Sequence, residues 1–507
     1  MALSAREMTL ATLLARNARI YAGRTALVCR ETSHSYPDLD LSAGRLAAGL
    51  KRHGVERGTR VAALLRNCHQ YIELLFALSR MGAVLVPLNW RLAASEQSYI
   101  LQESDSMVLV HGGDFAGDIE ALRGAPGAEA RIVDLSGLQP ASGNQGAAGA
   151  DPAVDVRHDD VAVQMYTAAF EGRPRGAQIT HGGYLAEAAS VALALSMTEA
   201  DATLITVPLF HTFGLELAIS VLARGGKCVF ADPFDAAEVL HIMERERVTV
   251  LVCAGQHLAE VLKQSDVNWE AVSSLRLIMG SGASKEMRGV VRAASPRVRF
   301  VDAVYGQTEC GAMVTGCDTE EAESIGPRCV GRPLMFQDVR VFDPDGAEVA
   351  AGQVGEIVVR GPRVMAGYYK ALNDHRESPG SGWRHTGDLG LLDELGYLHY
   401  MGRSRELIKS GMENVYPVEV EIVLAAHPAV REAAVIGLPD GQWGEVVTAI
   451  VALKEGTSAT GEELIHFCKE RIASYKKPKR VHFVDELPRD EGGQIARREI
   501  RDRFGGR

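Results

Sequence analysis

The sequence predicts a layered α/β protein with largely parallel sheets, followed by an antiparallel β unit and a small α+β C-terminal domain. Three observations lead to this. From residue 60 onward, short apolar runs alternate with segments of helical period. After about residue 330 the pattern turns to period two, and from residue 403 a remainder of domain size begins. Buried strands separated by helices are the mark of a sheet covered on both faces.

Taken in order, Arg60-Leu65, Val84-Leu88, Met107-His111, Val161-Tyr166, Thr203-Pro208, Lys227-Ala231, Val248-Ala254 and Leu275-Met279 read as buried strands. Helical spacing covers Tyr71-Met81, 181–196, 235–246 and 284–293. The stretch 136–151, rich in Gly, Ala, Ser and Gln, reads as a loop between two subdomains. Val339-Phe342 and Glu356-Arg360 are strands of the β unit at about 330–400, with Asp345-Gly346 as a turn signal. The last part carries helices near 417–426 and 462–472 and strands at 432–437, 446–453 and 480–484. The expected division is an N-terminal domain over 1–402 and a C-terminal domain over 403–507. Residues near Leu10, Leu13 and Leu14 read as a packed amphipathic helix rather than a targeting segment, since Glu7 interrupts the basic pattern.

Composition narrows the function. The 507 residues carry 54 Lys+Arg against 65 Asp+Glu, a net charge of -11 without a basic block, which argues against a nucleic-acid reader. Eight scattered cysteines show no C-x-x-C pair or zinc spacing, so they read as reduced thiols in a cytoplasmic protein. No apolar run is long enough for a transmembrane helix. A small-molecule enzyme is the expectation that remains.

Three segments could carry chemistry. Tyr166-Thr167 through Gly172, Arg173 and Arg175-Gly176 lies between a strand and a helix, where backbone N–H groups and a cation can meet phosphate; it also reads as an ordinary strand-to-helix turn. Tyr305-Gly306-Gln307-Thr308-Glu309 follows the apolar run Val298-Val304 and offers an aromatic face, a hydroxyl and a carboxylate at a strand end. That trio could stack a base, bond a phosphate and hold Mg2+, or form a solvated turn. Trp383-Arg384-His385-Thr386-Gly387-Asp388, with Arg403 fifteen residues beyond Asp388, supplies a carboxylate and a guanidinium suited to a ribose or phosphate.

Together with Gly402-Arg403-Ser404-Arg405-Glu406-Leu407-Ile408-Lys409 and Tyr475-Lys476-Lys477-Pro478-Lys479, these motifs resemble the adenylate-forming acyl-CoA synthetases and their luciferase and peptide-synthetase relatives, over residues 9 to 500. The resemblance implies that a fatty or aryl carboxylic acid and ATP-Mg2+ form acyl-AMP and pyrophosphate, and that coenzyme A then displaces AMP. It implies that Tyr305 and Gly306 face adenine, Thr308 touches the α-phosphate, Glu309 holds Mg2+, and Asp388 and Arg403 bind ribose. His211 matches the residue beside the carboxylate, and Gly280 and Gly282 line the acyl and adenine pocket. Thr167, Gly172 and Arg175 belong to the phosphate loop. Arg91, Gly411, Trp443 and Lys477 fall where coenzyme A would bind, and Arg405 is the hinge of a mobile lid. A monomer or homodimer is implied.

Two departures from the family pattern stand out. Ala168, Ala169, Phe170 and Glu171 replace the Ser-Gly-Thr-Thr core of the phosphate loop, with Arg175 in place of its lysine, and Gln494 replaces the lysine that bridges the carboxylate and α-phosphate. A charge held at a developing phosphorane is worth about 100–1,000-fold in rate. The sequence thus leaves two readings: a complete ligase in which Arg489, Arg497 or Arg498 supplies the cation, or a relative that binds acyl-AMP, acyl-CoA or nucleotide, or catalyses only thioester formation.

Overall fold

The computed structural model describes residues 7–123, 130–138, 155–167, 174–264, 272–280, 282–370, 382–410, 413–440, 444–472, 474–489 and 494–505. The chain folds as two compact units: one of residues 1–324, 330–339 and 359–384, the other of 325–329, 340–358 and 385–507.

The first unit holds two seven-stranded sheets. In one, Arg299–Val301, Leu277–Met279, Val250–Val252, Ala202–Ile205, Lys227–Phe230 and Thr25–Cys29 run parallel in that order, and Thr32–Ser35 closes the edge antiparallel. In the other, Val161–Tyr166, Val84–Pro87, Arg60–Leu64, Val108–His111 and Arg131–Asp134 run parallel, with Gly176–Thr180 and Gly367–Tyr368 added antiparallel. One apolar core takes in Leu27, Ile205 and Val250 of the first sheet and Val61, Leu85 and Val163 of the second. Helices Tyr36–Arg52, His69–Met81, His181–Ala194 and Thr212–Ala223 contribute to the same core. Parallel strands buried on both faces have no polar side to show, which is why they read as continuous apolar runs.

The N-terminal helix Leu10–Ile20 is packed as expected: Thr9 caps it through a capping box with Thr12, and Leu10 and Leu14 are buried. Two segments differ from the sequence reading. Residues 136–138, read as the start of a loop, belong to the helical turn Leu135–Leu138, whose Leu138 is buried; the rest of that loop lies outside the described residues. The run Val298-Val304 is two strands, not one. It breaks at Asp302, whose carboxylate accepts from the Thr319 hydroxyl at 2.5 Å. Arg299–Val301 ends the parallel sheet, while Ala303–Gln307 begins an antiparallel hairpin with Gly311–Cys317.

The second unit has a four-stranded sheet in the order Asp338–Phe342, Gly355–Arg360, Arg384–Leu392, Leu398–Arg403. A second sheet pairs Val430–Asp440 with Gly444–Leu453 antiparallel and adds Arg480–Phe483 parallel. Helices Pro417–Ala425 and Gly461–Lys469 pack over it, burying Val420, Leu424, Leu464 and Cys468.

Candidate functional site

In the first unit, Tyr305 is buried within the hairpin rather than standing at the end of a parallel strand. The ladder slips between Tyr305 and Gln307, and a Cβ on Gly306 would stand 2.3 Å from the Ala312 carbonyl, so the backbone closes only around glycine here. Thr308 and Glu309 form the turn that follows.

Glu309 is buried, and its Oε1 accepts from the Tyr368 hydroxyl. Its carbonyl accepts from Met365 N at 2.8 Å. Buried Arg384 donates to the same Tyr368 hydroxyl at 3.4 Å, and the Arg175 guanidinium stands 4.9 Å from the Tyr368 ring centroid. A carboxylate that accepts one hydroxyl retains further lone pairs, so its oxygens suit a hard divalent cation such as Mg2+. Thr167 N donates to the Arg175 carbonyl at 3.0 Å, continuing the antiparallel pairing of Val161–Tyr166 with Gly176–Thr180, so this segment joins two strands rather than a strand and a helix. Gly172 and Ala168–Glu171 lie outside the described residues.

A buried ionic cluster that the sequence reading missed braces this turn. Arg363 bonds Glu216 Oε1 through Nε at 2.6 Å and reaches the Thr308 carbonyl through Nη1 at 3.4 Å. Glu216 Oε2 accepts from Ala312 N at 2.7 Å, and Glu187 Oε1 accepts from Met313 N at 3.0 Å. Burial, and then the neighbouring Glu216 charge, push the Glu187 carboxyl well above the ordinary glutamate range. The only sequence signal was a lone Glu inside each of two apolar helices, His181–Ala194 and Thr212–Ala223.

His211 is the N-cap residue of helix Thr212–Ala223. Its imidazole is open to solvent at the surface of dense protein; this packing, and then the Arg91 charge, lower its pKa from 6.5 to about 4. Phe210 stands 4.6 Å from the His211 ring and 6.2 Å from Trp90, and the Arg91 guanidinium lies 4.8 Å from the Trp90 centroid. Arg91 also acts on His257, which stacks on Phe234 at 3.9 Å and contacts the Thr206 hydroxyl at 3.3 Å. Gly280, at φ +145, is held so close to Cys253 that a Cβ would lie 1.6 Å from its carbonyl oxygen; Gly282 also has positive φ.

Within the second unit, Asp388 and Arg403 are direct cross-strand partners, with Arg403 Nε 3.6 Å from Asp388 Oδ1. Thr386 Oγ1 receives Asp388 N at 3.1 Å and donates to the Ile357 carbonyl at 2.7 Å, which fixes the carboxylate's strand. Gly387 N donates to Glu356 Oε1 at 2.9 Å. Arg405 sits in the 3₁₀ turn Ser404–Glu406. Lys477 Nζ donates to the Ser474 carbonyl at 3.0 Å, and Gln494 is exposed. Gly411 and Trp443 lie outside the described residues. Of the three arginines weighed against Gln494, Arg497 pairs with Glu421 at 2.6 Å and Glu406 at 3.3 Å, Arg489 reaches Glu432 at 2.5 Å, and Arg498 is exposed.

Residues 14–369 match the family model of AMP-binding enzymes, and residues 419–494 match that of the AMP-binding enzyme C-terminal domain. The chain is 37% identical over 492 residues to a feruloyl-CoA synthase of Amycolatopsis sp, covering 97% of this chain and 98% of that protein. It is 34% identical over 491 residues to a 2-succinylbenzoate–CoA ligase of Bacillus licheniformis, covering 96% and 98%. Among solved structures, a Mycobacterium tuberculosis fatty acyl CoA synthetase superposes with a TM-score of 0.83 at 30% identity over 99% of both chains. The Bacillus subtilis O-succinylbenzoate coenzyme A synthetase in complex with AMP gives 0.80 at 30% identity, over 98% of this chain and 99% of that one. The chain therefore belongs to the AMP-binding enzymes, the adenylate-forming acyl-CoA ligases.

Proposed function

We propose that this protein is an acid–CoA ligase that activates an aromatic carboxylic acid with ATP and transfers the acyl group to coenzyme A. The observation that carries the reading is the braced turn Tyr305–Glu309, with its carboxylate held by Tyr368 and its backbone by Arg363. Similarity along nearly the whole length to a feruloyl-CoA synthase supports the acid class. So do the ring contacts near His211, of Trp90 with Phe210 and of Phe210 with His211 itself, together with the Phe234–His257 stack.

In this reading a carboxylate oxygen of the acid bonds to the α-phosphorus of ATP and pyrophosphate leaves; the coenzyme A sulfur then bonds to the acyl carbon and AMP leaves. Tyr305 and Gly306 would face adenine, Gly280 and Gly282 would leave room beside it, and Asp388 would accept ribose hydroxyls with Arg403 next to it. Thr308 would donate to the α-phosphate, with Thr167, Gly172 and Arg175 along the rest of the chain of phosphates. Glu309 would hold Mg2+, which when bound offsets phosphate charge. His211, neutral at pH 7, can donate or accept a hydrogen bond beside the acid without adding charge; the positive charge there is that of Arg91. Residues 403–507 would form the lid, turning at Arg405, with Gly411, Trp443 and Lys477 toward coenzyme A. Such a lid serves two half-reactions in turn.

A second reading, a relative that lacks efficient adenylation, draws on Gln494 and on the commitment of Arg497 to two carboxylates. Pyrophosphate release and acyl-CoA formation, measured with an acid panel on the native chain and on Gln494→Lys, separate the two. Turnover by the native chain establishes the ligase. Turnover by the variant alone establishes the second reading, and silence from both with tight binding of an acyl-AMP analogue points to a binding protein.

A further inference from the structure

Away from the adenylate motifs, the first unit contains a two-histidine, one-carboxylate cluster with no part in the reaction above. Helix His69–Met81 begins with His69, and Glu73 follows one turn later on the same face. The edge strand Thr32–Ser35 brings His34 across, so that the two imidazoles stack with centroids 4.7 Å apart. His69 Nδ1 lies 2.8 Å and His34 Nε2 3.6 Å from the same Glu73 Oε1. One donor atom from each of the three residues falls within 4.8 Å of the other two.

The environment of Glu73 is what sets this apart from a surface ion pair. Its side chain is fully buried, and its Oε2 has no hydrogen-bond partner. A buried, unpartnered oxygen on a carboxylate is costly, and a bound ion is one of the ways folded proteins satisfy such a group. Against the effect of burial, the groups around it, His69 foremost, hold the carboxyl below its ordinary pKa. His69 also lines an open cavity of about 610 Å³, shared with Cys68, Asn67 and Asp232, which gives a path from solvent.

We propose that His34, His69 and Glu73 bind one divalent first-row transition ion, with zinc the best match, and that a water from the cavity completes the coordination. Two imidazoles and a carboxylate are a donor set that suits zinc over magnesium or calcium, which take oxygen ligands. Donors about 2.1 Å from a tetrahedral ion stand about 3.4 Å apart. The His34–Glu73 separation is already near that value, and the His69–Glu73 hydrogen bond opens by about half an ångström as the ion replaces its proton.

The test is titration of zinc chloride into the full chain after chelator treatment, followed by calorimetry. One equivalent is expected, with affinity reduced at least tenfold in His69→Ala and in His34→Gln and unchanged in His241→Ala, an exposed histidine elsewhere. Cobalt(II) added to the native chain provides a readout that needs no variant: the intense visible bands of a four-coordinate ion are expected, and they disappear when zinc is added. Absence of a one-equivalent zinc isotherm, affinity equal in the two cluster variants and the native chain, or cobalt bands only of the weak six-coordinate kind would each overturn the proposal.

Discussion

Arg363 donates through Nε to Glu216 Oε1 at 2.6 Å, and neither side chain is reached by water. The two residues are 147 positions apart, yet their pairing fixes the backbone on both sides of the Thr308–Glu309 turn. Removing one partner of a buried pair leaves an uncompensated charge, at a cost of about 3–5 kcal/mol. Arg363→Ala is therefore expected to lower stability by that amount in urea unfolding, whereas an exposed arginine such as Arg340 changed to Ala shifts it by less than about 0.5 kcal/mol.

Glu187 gives that cluster a dependence on pH. Its carboxyl titrates above the ordinary value in the folded chain, so the folded state holds a proton that the unfolded state releases. Its contribution is fully present below the unfolded glutamate pKa and is lost as pH rises toward the folded value. Glu187→Gln removes this loss. Unfolding measured from pH 5 to 8 is expected to show the native chain losing ground to the variant, by at most about 1.4 kcal/mol per pH unit.

For His211 the sign reverses. A folded pKa near 4, below the unfolded 6.5, means the neutral ring is favoured by folding; that stability is present above 6.5 and is lost as pH falls toward 4. Proton NMR of the imidazole is expected to show no titration between pH 8 and 5.5, and Arg91→Ala to move the midpoint upward. A midpoint at the ordinary value in the native chain would contradict the packing around this ring.

Gly280 leaves no room for a side chain. With φ +145 and a Cβ position 1.6 Å from the Cys253 carbonyl oxygen, Gly280→Ala must displace backbone. A loss of more than about 2 kcal/mol is expected, against a smaller one for Gly282→Ala, where the nearest atom is 3.8 Å away.

Asp388 is placed to tell nucleotide binding from folding. Asp388→Asn keeps the shape and the bond from its amide to Thr386, so stability should change little, while the KM for ATP is expected to rise about tenfold or more through loss of charge-assisted acceptance. An unchanged KM would remove Asp388 from the ribose site.

Period and propensity were enough to read the parallel strands, because a strand buried on both faces has to be apolar throughout. The break at Asp302 escaped that reading: a single acid in the run Val298-Val304 says nothing by itself, and only Thr319, seventeen residues on, turns it into a boundary. Tyr305, Glu309, Asp388 and Arg403 stand out in the sequence by motif spacing and by resemblance. Tyr368, Glu187, Glu216 and Arg363 do not, since each is an ordinary residue whose meaning comes from partners far along the chain. His34 escaped for the same reason: His69 and Glu73 lie one turn apart on a helix, and only the pairing of its strand brings His34 to them.

The interleaving of the two units has a consequence for how the chain is made. Residues 359–384 belong to the first unit but leave the ribosome after residues 325–329 and 340–358 of the second. Until Arg363 emerges, Glu216 has no cation beside it, and closing that core would bury its carboxylate unpaired next to a Glu187 that favours the protonated form. A nascent chain halted before residue 363 should therefore remain open around the hairpin that carries Tyr305.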